Sequence, residues 1–368
     1  MLSFRKLALT IALGASFALA SPGGLMAAEA QKAPVKLVPV KANQGAKART
    51  AQTKAVKGKQ ASAKKTSIRK ASKNVRQAAV KRPVKKARRA VRRTGPSEAM
   101  LAGLRQTEDP LLLGSSVAYA VDQDTGEELV VKNADVELPI ASVTKLMTAL
   151  VIAESNLSLT EKVRITREDY VRSTARSKLT SGMKLTRGAL LKAALMSSDN
   201  RAAAALARTY PGGRKAFVAK MNETAAAHGM TSSVFADPTG LDNRNHSTAR
   251  DLGKLVAAVY EHQELREAST SPVARISTGR RSVSLSTTNR LIGDPSWQIG
   301  IQKTGFTTAA GRCMVVQSDV GERRLVMVVL DSPNNAKRAD DMRTMRAYVQ
   351  NERAFAKDFA QVAPYELF

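Results

Sequence analysis

The segment 138–151, with the sequence LPIASVTKLMTALV, says more about the fold and chemistry of this chain than any other stretch. Its apolar residues from Leu146 onward predict a buried helix that carries Ser142 and Lys145 in its first turn. Residues i and i+3 of a helix share one face, so the hydroxyl group of Ser142 and the amine of Lys145 can approach each other. The first turn also lies at the positive end of the helix dipole, which favours developing negative charge. The segment is therefore compatible with Ser142 as an activated nucleophile.

The same two residues have an ordinary explanation, as a helix-capping serine beside a solvated lysine. The S-x-x-K pattern also begins at four other serines, namely Ser3, Ser62, Ser67 and Ser181. Taken alone, the pattern leaves both interpretations open, so the rest of the chain has to distinguish them.

Two further short motifs stand at the ends of predicted elements. The sequence SDN at 198–200 follows the apolar helical stretch 189–196, and KTG at 303–305 closes a predicted strand that covers 298–303. Considered singly, the first motif is typical of a helix N-cap and the second of a turn. Their chemical meaning depends on their occurring together.

S-x-x-K, S-D-N and K-T-G, in this order, are the motifs of penicillin-binding proteins and serine β-lactamases. Over residues 110–350 the chain resembles one branch in particular, the low-molecular-mass penicillin-binding proteins of the D-alanyl-D-alanine carboxypeptidase/endopeptidase family. The likeness includes the segments 138–147 and 229–241. The segments 297–305 and 310–313 are similar to the D,D-endopeptidase subgroup.

The resemblance implies an α/β fold of the β-lactamase/transpeptidase type, with an antiparallel sheet of about five strands, flanking helices and an inserted helical subdomain. The residue patterns agree, because strand patterns stand at both ends of the folded part and helical patterns lie between them. The predicted strands are 116–122, 128–132, 282–288, 298–303, 312–318 and 324–330. The predicted helices are 142–154, 187–197, 201–209, 214–228, 247–265 (with a capping box at Thr248 and Asp251) and 336–360.

The expected mechanism begins with the charge on one lysine. A serine hydroxyl group is a weak nucleophile until a base removes its proton. Lys145 can be that base only when it is neutral, so its pKa must be lowered by burial and by a second cation, Lys303. By the resemblance, Ser142 then attacks a D-alanyl peptide bond of a peptidoglycan stem peptide and forms an acyl-enzyme, which water hydrolyses.

The remaining motif residues receive roles from the same resemblance. The backbone N–H groups of the nucleophile and of Phe306 should hold the oxyanion. Ser198 should pass a proton to the leaving amine, and Asn200 should hold the substrate amide. Thr304 and the preceding lysine should bind a substrate carboxylate, and Gly305 should leave room for the substrate backbone. The predicted catalytic residues are Ser142, Lys145, Ser198 and Asn200, and the predicted substrate-binding residues are Lys303, Thr304, Gly305 and Phe306.

Other hydrolase classes fit the sequence poorly. It contains no G-x-S-x-G motif, and each histidine has an ordinary explanation: His228 ends a helix, His246 lies in a polar loop and His262 lies on a surface. After S-D-N it also lacks the Glu-x-x-Leu-Asn segment with which class A β-lactamases position deacylating water, and Glu223 stands in the wrong pattern. We therefore expect β-lactam antibiotics to act as covalent inhibitors that leave Ser142 slowly.

Cysteine and histidine counts bear on metal sites and cofactors. The single cysteine, Cys313, excludes an intramolecular disulfide and any multi-cysteine zinc or iron–sulfur site. By the resemblance it is a packed thiol of its strand. With the three histidines scattered along the chain, no metal or other cofactor is expected.

The first part of the chain predicts export. Residues 1–30 have the pattern of a secretory signal peptide, with a basic start, an uncharged run at 7–20 and Ala-x-Ala cleavage sites at 18–20 and 28–30. The uncharged run is short for a membrane span, although an uncleaved anchor remains the alternative. We expect the protein to be located in the periplasm.

The next segment is strongly basic. Residues 31–97 hold 22 Lys and Arg residues and no Asp or Glu, whereas residues 98–368 hold 35 basic and 30 acidic residues. A chain without aromatic residues and with like charges cannot form a core, so we expect a disordered linker before a peptidase domain at 98–368. In an exported protein its expected partner is an anionic cell-envelope polymer and not a nucleic acid. A simple spacer is the alternative.

The choice between endopeptidase and carboxypeptidase rests on the part of the chain after the third motif. The 65 residues after Lys303 are too few for the last strands, the last helix and a second β-domain together. No separate anchoring helix is expected either, because residues 336–360 are needed to cover the sheet. Both features match the D,D-endopeptidase subgroup, which cleaves D-Ala–diamino-acid cross-links. A D-alanyl-D-alanine carboxypeptidase is the alternative, and a non-catalytic wall-binding protein is a more remote one.

Overall fold

The computed structural model describes residues 36–37, 95–279 and 281–362, and for residues 36–37 and 352–362 it describes the backbone only. The predicted signal peptide and most of the predicted linker lie outside these residues. Within them, no helix is both long and apolar enough to cross a membrane.

The elements follow the predicted alternation of strands and helices. The strands are β1 (Lys36–Leu37), β2 (Val117–Asp122), β3 (Glu128–Lys132), β4 (Leu138–Pro139), β5 (Lys162–Arg164), β6 (Lys184–Thr186), β7 (His246–Ser247), β8 (Val273–Ser277), β9 (Ser282–Ser286), β10 (Gln298–Thr307), β11 (Gly311–Val320) and β12 (Arg323–Ser332). The helices are α1 (Glu98–Leu101), α2 (Lys145–Glu154), α3 (Arg187–Met196), α4 (Asn200–Arg208), α5 (Gly213–Ala227), α6 (Ala249–Tyr260), α7 (Gln263–Thr270) and α8 (Asn335–Val362).

One antiparallel sheet organises the fold, with the strand order β1-β3-β2-β12-β11-β10. The first long hairpin, β2–β3, pairs with the last strand, β12, so that strands from both ends of the domain close one sheet as predicted. The five strands β2, β3, β10, β11 and β12 confirm the predicted number. The two-residue β1, which falls in the segment predicted to be a disordered linker, adds a sixth strand that the sequence did not predict.

The sheet separates two hydrophobic cores, because successive side chains of a strand point to opposite faces. Along β12, Val326 and Val328 belong to the core shared with the helical block. Met327 and Val329 belong to the core beneath α8. The helix α8 packs against β11 and β12. The sheet is therefore buried on both faces, and β10 is its outermost strand within the described residues.

The helical block surrounds α2. Every residue of this helix from Lys145 to Ile152 is buried, and α3, α4, α5 and α6 all pack against it. A helix that is apolar on all sides is stable only when other elements enclose it. The first residue of α2 is nevertheless a lysine, so burial of that cation has to be explained by its surroundings.

Several predicted elements differ from those observed. The predicted strand 298–303 continues to Thr307, so that K-T-G lies within β10 and does not end it. The predicted helix 247–265 is interrupted at Glu261 and His262, and a separate helix, α7, continues to Thr270. The predicted strand 282–288 ends at Ser286 and pairs with β8 in a small hairpin outside the main sheet. In none of these cases does the local sequence pattern mark where the element ends.

The predicted capping box is only half formed. The Thr248 side chain accepts a hydrogen bond from the Asp251 amide at 3.1 Å, as an N-cap should. The Asp251 carboxylate instead accepts hydrogen bonds from the Ser232 amide at 2.8 Å and the Ser233 hydroxyl group at 2.9 Å. This carboxylate therefore fixes the loop after α5 and does not close the box.

Candidate active site

The Ser142 segment forms a tight turn ahead of α2. Residues Ala141–Thr144 form a 3-10 turn and Lys145 is the first residue of the α-helix, so the serine lies just before the helix and not in its first turn as predicted. Ala141 has a φ of 48°, in the left-handed region that non-glycine residues rarely adopt. The Thr144 hydroxyl group donates to the Ala141 carbonyl at 2.8 Å and holds this conformation.

The amine of Lys145 is held by three oxygen atoms. Its Nζ lies 2.9 Å from Ser142 Oγ, 2.7 Å from Asn200 Oδ1 and 2.6 Å from the Thr239 carbonyl oxygen. The amide and carbonyl oxygens can only accept, so they orient two N–H groups of Lys145. When the amine is neutral, its lone pair is then left for the Ser142 proton. The geometry suits a base next to a nucleophile.

Burial also prepares Lys145 electrostatically. The side chain is fully buried, and burial lowers its pKa to about 7, although the carboxylates of Asp237 and Asp199 act in the opposite direction. Desolvation disfavours the charged form of a lysine, and here it outweighs the two carboxylates. A substantial fraction of Lys145 is therefore neutral near pH 7.

Acylation of Ser142 should consequently depend on the protonation of Lys145. We expect the rate of penicillin acylation to rise with pH and to reach half its maximum near pH 7, because the neutral fraction of a lysine with that pKa increases through this range. The rate should be measured with a fluorescent penicillin from about pH 5 to pH 9, on both sides of that pKa. A rate that is independent of pH, or that falls as pH rises, would contradict Lys145 as the base.

The second lysine lies across the site. Lys303 Nζ donates to Ser198 Oγ at 2.9 Å and to the Thr304 carbonyl at 2.7 Å. Burial, the charge of Lys145 and that of Arg338 lower the pKa of Lys303 well below its usual value. Two ammonium groups repel each other equally, but the repulsion lowers the pKa of the group that loses its proton first, because its neighbour is still charged at that point. Burial thus acts on Lys145 as predicted, whereas the effect of the second cation appears on Lys303.

The S-D-N motif connects the two lysines. Asp199 caps α4 by accepting from the Ala202 amide at 3.0 Å, which agrees with the simple N-cap interpretation. Its neighbours do more, since Ser198 accepts from Lys303 and Asn200 accepts from Lys145. Ser198 has a φ of 57°, so the chain reverses at this residue and directs the two side chains to different lysines.

The loop 237–240 contacts Lys145 through the Thr239 carbonyl, and the sequence assigned no function to this loop. Asn245 is fully buried and donates to the Asp237 carboxylate at 2.6 Å and to Thr144 Oγ1 at 3.2 Å. Asp237 also accepts from the Gly240 amide at 2.9 Å. Gly240 has a φ of 77°, and a Cβ there would overlap the Ala141 carbonyl. Together these contacts hold the Thr239 carbonyl on the amine.

The K-T-G strand forms the opposite wall. A Cβ added at Gly305 would lie 3.0 Å from the Ile140 carbonyl oxygen and 3.1 Å from the Ser142 nitrogen, so a side chain would crowd the nucleophile segment. Thr304 Oγ1 lies 2.6 Å from Thr288 Oγ1, a partner that the sequence did not indicate. The Phe306 side chain is 42% exposed, with the Arg312 guanidinium 4.5 Å from its ring centre.

These walls enclose a cleft of about 1060 Å³ that includes Ser142, Ser198, Asn200, Thr304, Gly305 and Phe306. Its charged lining residues are all basic, namely Arg172, Arg312 and Arg338. Arg338 was not predicted. It comes from α8, is mostly buried and leaves its Nε without a hydrogen-bond partner among the described residues. The six polar motif residues therefore lie at one site, with an anion-attracting surface around it.

The remaining candidates behave as ordinary residues. Cys313 is buried opposite Gly305, and burial raises the pKa of its thiol to about 12, so it stays protonated. His228 Nε2 lies within hydrogen-bond distance of the Glu154 carboxylate, at 2.9 Å, and Glu223 is an exposed residue of α5. His246 is not in a polar loop as predicted, because it pairs with Pro139 in the short β4–β7 ladder.

Comparisons with known proteins agree with this arrangement. Residues 105–334 match the family model described as D-alanyl-D-alanine carboxypeptidase. The chain is 39% identical to a D-alanyl-D-alanine endopeptidase from Pseudomonas aeruginosa, over 65% of this chain and 78% of the relative. It is 36% identical to a D-alanyl-D-alanine endopeptidase from Escherichia coli, over 65% and 78% of the two chains.

Solved structures give the same result. A DD-transpeptidase from Streptomyces superimposes with a TM-score of 0.60 at 30% identity, over 64% of this chain and 97% of the other. A cefotaxime-bound penicillin-binding protein from Listeria monocytogenes superimposes with a TM-score of 0.59 at 30% identity, over 66% and 99%. The chain therefore belongs to the D-alanyl-D-alanine carboxypeptidase family, whose members are serine peptidases of the penicillin-binding fold.

Proposed function

We propose that the protein is a serine D,D-endopeptidase that cleaves D-Ala–diamino-acid cross-links between peptidoglycan stem peptides. One observation carries the proposal. The Ser142 hydroxyl group lies 2.9 Å from the Lys145 amine. Burial lowers the pKa of that amine to about 7, which makes it an effective base at neutral pH.

The reaction proceeds in two balanced steps. Lys145 accepts the Ser142 proton while the serine oxygen bonds to the carbonyl carbon of D-alanine, and N–H groups of Ser142 and Phe306 stabilise the oxyanion. The C–N bond then breaks, and the proton that Lys145 took reaches the leaving amine through Ser198, so that Lys145 is neutral again. In the second step Lys145 takes a proton from the water that attacks the ester, and returns it to Ser142 Oγ as the D-alanyl carboxylate leaves.

Two basic side chains and a hydroxyl group account for substrate binding. Thr304 and Arg338 line the cleft, and the buried amine of Lys303 donates to Ser198, which also lines it, at the end of the site where the carboxylate next to the scissile bond would lie. A bound carboxylate would raise the pKa of Lys303 again, because an opposite charge favours the protonated amine. Substrate binding would in this way restore the charge that burial disfavours.

The preference for cross-links rests on the relatives. Those at 39% and 36% identity are named endopeptidases. A relative from Bacillus subtilis named a carboxypeptidase is 29% identical, over 60% of this chain and 58% of its own. Since the catalytic chemistry is common to both activities, the difference must lie in what binds beyond the scissile bond.

Purified substrates test the preference directly. We expect the enzyme to cleave cross-linked muropeptide dimers into monomers, and to release terminal D-alanine from pentapeptide monomers more slowly. Products are separated by chromatography and identified by mass. Release of D-alanine without cleavage of dimers would make the protein a carboxypeptidase instead.

Export to the periplasm and a role for the basic segment belong to the same proposal. The described chain enters the domain beside the cleft, since a Cβ at Gly95 would lie 3.9 Å from the side chain of Thr308, which lines the cleft. Residues 31–94 carry 22 basic side chains and no acidic ones. A polycation attached at this position would hold an anionic cell-envelope polymer near the active site.

A further inference from the structure

The cleft continues away from Ser142 between two stretches of chain. Residues 172–175 and Thr288 line the cleft itself. Farther along the same two stretches, 175–178 and 285–286 line a concavity of about 220 Å³. Residues 180–184, 278, 279 and 281 then take part in a third concavity of about 590 Å³, at the turn between β8 and β9. We call the second and third concavities the distal groove.

Hydrogen bonds fix both walls of the distal groove. Lys178 Nζ donates to the Ser284 carbonyl at 2.7 Å, and the Lys184 amide donates to the Thr278 carbonyl at 3.2 Å. The guanidinium of Arg201, in α4, donates to the Leu179 carbonyl at 2.6 Å. The groove is therefore built against the same helix that begins with the S-D-N motif.

The groove is basic throughout. Five exposed cations line it, namely Arg164, Arg176, Lys178, Lys184 and Arg281. Residues 171–184 and 273–288 contain no Asp or Glu. The acidic side chain at the groove, Asp199, already accepts from Ser177 Oγ at 2.7 Å and from the Ala202 amide. Within the described residues, none of the five cations forms an ion pair.

We propose that the distal groove binds the carboxylates of a stem peptide, at residues beyond the scissile bond. This inference rests on the proposed function, because it concerns the other parts of the same substrate. Ala175, Ser198 and Asn200 line both the cleft and the first concavity of the groove, so an extended peptide attached at Ser142 continues from the cleft into the groove. A peptide that carries several carboxylates matches a groove whose free charges are all positive.

The groove therefore selects acidic, cross-linked peptides over short neutral ones. The hydroxyl groups of Thr180, Ser181 and Thr278 add neutral donors next to the cations. Such donors can hydrogen-bond carboxylate oxygens as well as peptide carbonyls. Phosphorylated polymers would compete for the same cations, so binding of such a polymer is a separate outcome of the test.

The test compares two substrates and two variants. The groove variant combines Arg176→Gln, Lys178→Gln, Lys184→Gln and Arg281→Gln, and the control, Lys215→Gln, removes an exposed cation of α5 outside the groove. The substrates are a cross-linked muropeptide dimer and the same dimer with its carboxylates away from the scissile bond converted to amides. We expect the groove variant to lose about tenfold in kcat/KM on the acidic dimer, because each exposed ion pair contributes modestly. The amidated dimer should be cleaved equally by the groove variant and the wild type.

Two further measurements separate this inference from the proposed function. Acylation by fluorescent penicillin should be unchanged in the groove variant, which shows that the catalytic residues are intact. Binding of a labelled acidic stem peptide to the otherwise unaltered Ser142→Ala protein should weaken when the groove substitutions are added, whether or not dimers are cleaved. Equal effects on the acidic and amidated dimers, or unchanged peptide binding together with weaker binding of a phosphorylated polymer, would overturn the inference.

Discussion

Replacing Ser142 with alanine should abolish covalent labelling by penicillin and lower peptide hydrolysis by roughly a millionfold, as expected when a covalent nucleophile is removed. The Ser142 hydroxyl group has one hydrogen-bonded side-chain partner, Lys145. Its loss should therefore leave the fold and the cleft intact. The effect is chemical, because no other described group occupies the position from which the ester bond forms.

The labelling experiment needs a control in which a serine outside the cleft is replaced. Ser158 lies on a surface loop and bonds only to Thr160 among the described side chains, so Ser158→Ala should be labelled like the wild type. Labelled protein is followed on a gel, and the modified peptide is identified by mass spectrometry. A labelled band that persists in Ser142→Ala would contradict the assignment of the nucleophile. Rapid turnover of nitrocefin by the wild type would instead indicate a β-lactamase.

Replacing Lys145 with methionine should slow acylation by about a hundredfold to ten-thousandfold, the range expected for loss of a general base. Methionine has a similar volume but cannot accept the Ser142 proton. The substitution also removes the donor to Asn200 Oδ1 and to the Thr239 carbonyl. Some loss of stability is therefore expected, because buried acceptors are left without partners.

Stability and catalysis can be measured separately in this variant. The melting temperature reports the folded state, and the acylation rate of the folded protein reports the chemistry. The residual rate should also lose the pH dependence near pH 7 that the wild type shows, since the group that titrates there is gone. Lys215→Met serves as the control for loss of a lysine elsewhere. A folded Lys145→Met protein with the wild-type rate and pH profile would show that another base acts.

Much of the fold follows from the sequence, because local patterns and burial coincide in the central elements. The stretch after Lys145 is apolar on every side, and the structure encloses α2 completely. The strand pairs at each end of the domain were also predictable. By contrast, the break between α6 and α7 was not, since the helical pattern continues through residues 261 and 262, whereas the backbone of His262 is extended.

The sequence predicted those parts of the candidate site that are side chains of short motifs. The polar motif residues lie together in the structure, namely Ser142, Lys145, Ser198, Asn200, Lys303 and Thr304. The contact of the Thr239 carbonyl with Lys145 and the position of Arg338 at the cleft were not predicted. A backbone carbonyl carries no signal in the sequence, and its position depends on Asn245 and Asp237, which are distant from Lys145 along the chain. Arg338 comes from a helix whose pattern indicates only that it covers the sheet.

Because β10 is the outermost strand of the sheet within the described residues, Ser142 lies beside an edge strand that has no further partner strand there. A substrate that hydrogen-bonds to this edge must contain an extended stretch whose backbone groups are free, as a flexible wall peptide does. In natively folded proteins most backbone N–H and C=O groups are already hydrogen-bonded internally, so such proteins cannot supply a strand without unfolding locally. The edge position of β10 therefore disfavours folded proteins as substrates, independently of any side chain in the cleft.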